Sequence, residues 1–366
     1  MDILPIELWG HISEFVTSNW DKRNLMVTCK DISKCDFYFT EIIGDYRIMN
    51  TMWFNKFTKI YVNNLFPLPP LVTHLEFGYF FNKPINNFIP NTVTHIKFGN
   101  DFNQPIKGCI PPSVTHLEFS GQEFNQPIKD SIPSSVIHLI FFNRFNQDIK
   151  DCIPSSVTYL DLGASFNRSV DGYIPSSVTQ LIFGIYFDQP INILPSSITH
   201  LTFGICFNQP VDNLPSSIIH LKFSRVGYFN QSVDKLPSSV IHLQLGECFN
   251  QPIDNLPSSI THLILGENFN QPINNLPLLI THLEFGMHFN HPVNNLPSSI
   301  THLSFGINFN QPIDNLPSSI THLQLAREFK HPLIIHPNVI DLILWGDRFH
   351  GKKEIQNYLK NIKNKN

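Results

Sequence analysis

Alanine is nearly missing from this 366-residue chain: only Ala164 and Ala326 occur. Alanine is the strongest helix former, so helical bundles and helical-repeat arrays are disfavoured. Charge is also scarce. Charged residues make up 15% of the chain and the formal net charge is −4, where average domains carry about 25% charged residues. Such a surface does not advertise nucleic acid or an anionic membrane as the main partner. Long apolar runs are lacking too: nothing reaches the roughly 18 residues of a membrane span. The six cysteines (Cys29, Cys35, Cys109, Cys152, Cys206 and Cys248) include no Cys-x-x-Cys pair, the spacing a zinc or redox site would use. The N-terminus, Met1-Asp2-Ile3-Leu4-Pro5, has no basic stretch leading an apolar core, as a signal peptide would. These absences together point to a reduced, intracellular, cytoplasmic protein. Sequence motifs for zinc proteases, nucleotide phosphates, serine hydrolases and dinucleotides are missing as well. The expectation is a non-enzyme with no catalytic residue, cofactor or metal.

What the chain does have is phenylalanine (32), proline (28) and 42% hydrophobic residues, too many for a disordered chain. They recur. From Pro69 to Pro337 a unit returns about every 20.6 residues, most clearly as Ile300-Thr301-His302-Leu303-Ser304-Phe305-Gly306-Ile307-Asn308-Phe309-Asn310-Gln311-Pro312-Ile313-Asp314-Asn315-Leu316-Pro317. A fixed period of this size marks a solenoid, and one strand plus a return segment fits the leucine-rich-repeat class. Alternation at period two places Leu303 and Phe305 inward. His302 and Ser304 then face outward, on an exposed and concave sheet surface. Gly306 ends the strand. Phe309, Ile313 and Leu316 return to the core, and Pro312 and Pro317 forbid helix between them. The spacing from this Phe to the next repeat's Pro is nine up to Phe166/Pro175 and eight from Phe187/Pro195 to Phe309/Pro317, so two sub-types join near residue 185. Extra residues enter at Ser120–Glu123 and Ser224–Tyr228. After Phe349, Ile355, Tyr358, Leu359 and Ile362 recur at helical spacing and predict an amphipathic cap. Its lysines read as a solvated face or, alternatively, a nucleic-acid patch.

One chemical group repeats on the outward face. His74, His95, His116, His138, His200, His220, His242, His262, His282, His302 and His322 form a ladder, with Tyr159 and Gln180 in its place in two consecutive repeats. Neighbouring strands lie about 4.8 Å apart. A linear row offers a metal only neighbouring pairs of ligands, so stacked structural imidazoles are favoured over a metal array or a pH sensor. The repeated Asn250, Asn270 and Asn290 are expected to ladder into turn backbone. Cys109 and Cys152 sit two repeats apart, beyond the roughly 7 Å reach of a disulfide. The informative positions vary while their frame does not. They include Glu76, Lys97, Ile140, Asp161, Ile182, Lys222, Glu284 and Gln324. Ile140, Tyr159, Asp161, Gln180 and Ile182 mix aromatic, apolar and acidic character and are the candidate target-binding residues. Solvated drift is the competing reading.

The Phe-Asn-Gln-Pro-Ile core at Phe249–Ile253 and Phe309–Ile313 resembles the FNIP repeat, a leucine-rich-repeat relative of amoebae and giant DNA viruses. The resemblance covers about residues 69–350, with Phe recurring in each unit from Phe81 to Phe349. Asp188, Lys330 and His350 depart from its Asn. At the other end, Leu4-Pro5-x-Glu7-Leu8, then Ile12, Phe15 and Val16, then Leu25-x-Val27-x-Cys29-Lys30, resembles an F-box. That resemblance implies a helical module docking the Skp-type adaptor of a cullin–RING ubiquitin ligase through Leu4, Pro5, Leu8, Ile12, Phe15 and Val16. A plain helical cap for the solenoid is the alternative. The expected class is α+β: an F-box-like helical module (1–45), a linker and cap (46–68), a leucine-rich-repeat-like FNIP solenoid (69–350), and a C-terminal cap helix with a basic tail (351–366). The expected role is recruitment of a target protein to the ligase, in the host cytoplasm if the chain is viral. The alternative is an interaction scaffold with no ligase role.

Overall fold

The computed structural model describes residues 58–325, 329–332, 335–344 and 347–363. The chain divides into two compact units, Met1–Tyr159 and Leu160–Asn366.

Each unit is built from one short strand per repeat. In the first, β1 (Lys59–Val62), β2 (His74–Phe77), β3 (His95–Phe98), β4 (His116–Phe119) and β5 (His138–Phe141) pair in sequence order, all parallel. β6 (Tyr159–Asp161) carries the division between the units. In the second, β7 (Gln180–Ile182), β8 (His200–Phe203), β9 (His220–Phe223), β10 (His242–Gln244), β11 (His262–Ile264), β12 (His282–Glu284), β13 (His302–Ser304), β14 (His322–Leu325) and β15 (Asp341–Leu344) follow the same rule. The register is strict, with each His opposite the equivalent residue of the next strand, as in His282↔His302. The alternating burial expected of Leu303 and Phe305 against His302 and Ser304 is present: the first two are buried and the others half-buried.

The core is a phenylalanine spine. Phe305 stacks on Phe309 of its own repeat at 3.8 Å and on Phe285 of the preceding one at 5.4 Å; Phe309 lies 6.1 Å from Phe289. Offset stacks of this kind add about 0.5–1.5 kcal/mol to the burial of each ring pair. Ile313 is buried with them, whereas Leu316 is only half-buried. Turns are set at the prolines that punctuate the units from Pro69 to Pro317, each of whose carbonyls accepts from the N–H three residues on, as Pro297 does from Ile300. The expected Asn ladder is present: Asn250 Oδ1 accepts the backbone N–H of Asn270 at 2.9 Å, and Asn270 does the same for Asn290 at 3.0 Å.

The two sub-types have a conformational origin. Asn87, Gly108, Asp130, Asp151 and Gly172 occupy one repeat position and have φ of 55°, 72°, 54°, 56° and 74°. Only Gly, Asn and Asp enter this left-handed region cheaply. The longer return segment places its added residue there. From Pro175 to Phe349 no described residue has positive φ.

The class is nearly all β, which corrects the α+β expectation. A unit of about 20 residues with prolines at fixed points leaves no stretch free to wind into a helix. Among the described residues the one α-helix is α1 (Lys352–Lys363), which buries Ile355 against the last strands. The expected helical module, with Leu4, Pro5, Leu8, Ile12, Phe15 and Val16, lies outside the described residues. Phe349 also departs from the reading of it as a last repeat Phe. It sits on β16 (Asp347–His350), antiparallel to β15 and opposite Leu342, and so closes that edge of the sheet.

Candidate functional site

The outward sheet face is lined by imidazoles. In the second unit, rings from His200 to His322 lie 4.0–4.3 Å apart. In the first, His74, His95 and His116 stack at 4.1 and 4.2 Å, and His138 follows at 5.3 Å. Tyr159, which the sequence suggested as an interruption, continues the stack: its ring lies 4.1 Å from His138 at 12°. Gln180, in register with His200, has no ring to stack and is exposed.

The residue before each His shapes its chemistry. Thr281 Oγ1 is 2.9 Å from His282 Nδ1 and 3.2 Å from the Thr261 carbonyl oxygen. That oxygen already accepts the N–H groups of Thr281 and His282, at 2.8 and 3.1 Å. The hydroxyl also donates to that oxygen, and its contact with Nδ1 occupies that ring nitrogen, leaving Nε2 for other partners. The same Thr–His pair recurs at His74, His95, His116, His200, His262, His302 and His322. The face is thus largely a row of imidazoles whose Nδ1 is held by the preceding threonine. The sequence carries this signal in its repeated Thr-His dipeptide, whereas alternation at period two specifies only which face a side chain takes.

Burial and neighbouring charges favour the neutral form of eight of these imidazoles. His95, His220 and His282 are pushed down to about 4, first by desolvation and then by adjacent histidines; His74, His138, His242, His262 and His302 are lowered in the same direction. Among the described residues no group of three or more His, Cys, Asp or Glu is arranged to hold a metal ion. Cys109 and Cys152 are buried free thiols, raised by desolvation, and Cys109 Sγ donates to Asn86 Oδ1 at 3.1 Å.

The candidate target residues divide between the units. Ile140 and Tyr159 are half-buried on the first. On the second, Gln180 is exposed and Ile182 and Asp161 are half-buried. Asp161 Oδ1 accepts the Gly163 N–H at 2.9 Å, and desolvation raises its carboxyl to about 6. In the second unit a shallow cavity of about 290 Å³ also opens along the face, lined by His282, Glu284, His302, Ser304 and His322 among others. The insertion after β9 overhangs this region, with Arg225 reaching Glu284 at 3.6 Å.

One parallel strand per repeat, a ring-stacked interior and an exposed face of fixed frame with varied side chains define a leucine-rich-repeat-like solenoid. This architecture is typical of protein-interaction scaffolds without enzymatic activity. The chain belongs to the FNIP Repeat family, whose sequence model matches successive segments from residues 63–101 through 309–340, overlapping from residue 169 onward. It is 39% identical to CroV588, described as a novel circular LRR protein structure; the likeness covers 79% of this chain and 50% of that one, with a TM-score of 0.69. That solenoid likeness supports the β class over the mixed one. YopM from Yersinia enterocolitica WA-314 shares the fold alone, at 18% identity and a TM-score of 0.51 over 79% of this chain and 73% of that one. The FNIP repeat-containing protein R636 of Acanthamoeba polyphaga mimivirus is 33% identical over 94 residues, which are 24% of this chain and 23% of R636. The chain therefore spans only a fraction of the length of CroV588 and R636. No helix among the described residues is long and apolar enough to cross a membrane.

Proposed function

We propose that this protein is a binding module that holds a target protein on its outward sheet face and delivers it to a Skp–cullin–F-box-type ubiquitin ligase in the cytoplasm. The observation that carries the target-holding role is the face itself. Within each unit the paired strands keep one register, yet the position two residues after each His, or after Tyr159 or Gln180 in its place, changes from Ile140 to Asp161, Ile182, Lys222 and Glu284. A rigid frame with varied side chains discriminates partners at little entropic cost on binding. Ile140 and Tyr159 on one unit, and Asp161, Gln180 and Ile182 on the other, are the proposed target contacts. Tyr and Ile supply the apolar area that interface hot spots need. The delivery role rests on the sequence of residues 1–45, in which Leu4, Pro5, Leu8, Ile12, Phe15 and Val16 match the F-box pattern. Residues 69–350 would form the target-holding arm.

Two experiments test this reading. Purified Skp-type adaptor should bind the intact chain and lose affinity for the Leu4→Ala/Pro5→Ala variant; equal binding by both removes the ligase role and leaves an interaction scaffold. A target captured by the intact chain should be lost from the Tyr159→Ala/Ile182→Ala variant. Undiminished capture would show that these residues do not form the docking surface.

A further inference from the structure

Lysines on the outward face are neutralised in one unit and not in the other. Lys59 faces Glu76 of the next strand at 3.9 Å, and Lys97 faces Glu118 at 3.5 Å. Lys222 on β9 is exposed, and its register neighbours are Thr202 on β8 and Gln244 on β10. Neither is an acid, and among the described residues Lys222 has no ion pair. Gln244 is itself turned to backbone, its Nε2 donating to the Phe223 carbonyl at 3.1 Å. The nearby Arg225 is already matched by Glu284.

The flanking imidazoles lack the threonine that precedes most ladder histidines, a feature shared only with His138 of the other unit. His220 and His242 stack at 4.3 Å on either side of the strand pair, but they follow Ile219 and Ile241, not Thr. Neither ring has a side-chain hydrogen-bond partner among the described residues. Both feel Lys222 as a like charge, and no carboxylate acts on either. This stretch thus combines one uncancelled cation with two imidazoles free to donate from either ring nitrogen.

We propose that Lys222, His220 and His242 form a carboxylate-binding subsite that accepts an acidic side chain of a peptide segment in the partner. The charge count selects a carboxylate: one lysine cation beside neutral rings balances a monoanion, and two N–H donors about one strand spacing apart can serve its two oxygens. The subsite rests on the reading of this face as the docking surface, but its test does not need the natural partner.

The test is fluorescence polarisation of a labelled tetraglutamate peptide with the full chain, near neutral pH and at low ionic strength, where exposed charges are least screened. The intact chain should bind the peptide, and Lys222→Gln should weaken binding about fivefold, the worth of one partly exposed charge contact. His242→Phe, which keeps a ring in the stack and removes its donors, should weaken it as well. Lys97→Gln removes a lysine already paired with Glu118 and should leave affinity unchanged. The proposal is overturned by no binding to the intact chain, by equal affinity in Lys222→Gln, or by an equal loss in Lys97→Gln. Displacement of the peptide by inorganic phosphate at lower concentration than by acetate would overturn the carboxylate assignment. If the peptide binds as described while the Tyr159→Ala/Ile182→Ala variant still captures its target, the subsite stands and the wider docking surface fails.

Discussion

Acid should loosen this fold through its histidine rows. His95, His220 and His282 are held at about 4 in the folded chain, whereas an unfolded histidine titrates near 6.5. The sign follows directly. Above 6.5 both states are neutral and the stability is fully present. As pH falls from about 6.5 toward 4, the unfolded chain takes up protons that the folded rings refuse, and stability is lost. One proton of difference is worth about 1.4 kcal/mol per pH unit. The rings are partly exposed, so solvent screening is taken to halve this, giving about 2 kcal/mol per pH unit for three rings. Asp161 opposes the trend. Its carboxyl is raised to about 6, so acidification through that value favours the folded state by one group's share. Glu118 and Asp341 soften the shifts of His138 and His302. The net effect remains a loss, read as a melting temperature that falls steadily from about pH 7 to about pH 5. His282→Asn should flatten that slope. A melting temperature that is constant or rises over this range would refute the reasoning.

Three further outcomes follow from the repeat geometry. Phe249 is fully buried between Phe229 and Phe269, each 6.1 Å away; Phe249→Ala should cost about 3–5 kcal/mol by denaturant titration, and a cost below about 1 kcal/mol would deny the spine its role. A Cβ on Gly286 would meet the Gly266 carbonyl oxygen, so Gly286→Ala must push adjacent repeats apart and should destabilise by about 1–3 kcal/mol, with faster amide exchange in β11 and β12. Asp151 has φ 56°; Asp151→Gly should be tolerated and Asp151→Val should destabilise by about 1–2 kcal/mol in thermal melts, an ordering that would reverse if the left-handed turn were not required.

Much of this architecture was legible in the sequence because each repeat restates it. Leu303 and Phe305 against His302 and Ser304 gave the strand face, and Pro297 and Pro317 gave the punctuation. The mixed fold class was not legible. The helical resemblance is confined to residues 1–45, whereas the strand-forming repeat occupies most of the chain. Other features depend on contacts between repeats, which a single unit does not display. Gly286 reads as a strand terminator, yet its lack of a side chain is demanded by the neighbouring Gly266 carbonyl. Ser299 reads as turn filler, yet its hydroxyl donates to the Ile280 carbonyl one repeat back at 2.6 Å. At the candidate site the variable positions could be read directly. The threonine hydroxyl held against Nδ1 could not, because it depends on side-chain geometry that the dipeptide alone does not fix. The significance of Ile219 and Ile241 emerges only against the Thr-His pairs of the other repeats.

Histidine exchange itself can test the central claim. Hydrogen–deuterium exchange at the imidazole carbon between the two nitrogens, followed by mass spectrometry, reports the solvent access of each ring. It would be measured on the chain alone and with its captured target. His288, His291, His331 and His336 lie off the sheet face, on turns and return segments, and serve as internal references. The account predicts slowed exchange along the strand histidines, with the four references unchanged. Slowing confined to those four, with the strand rows unaffected, would contradict it.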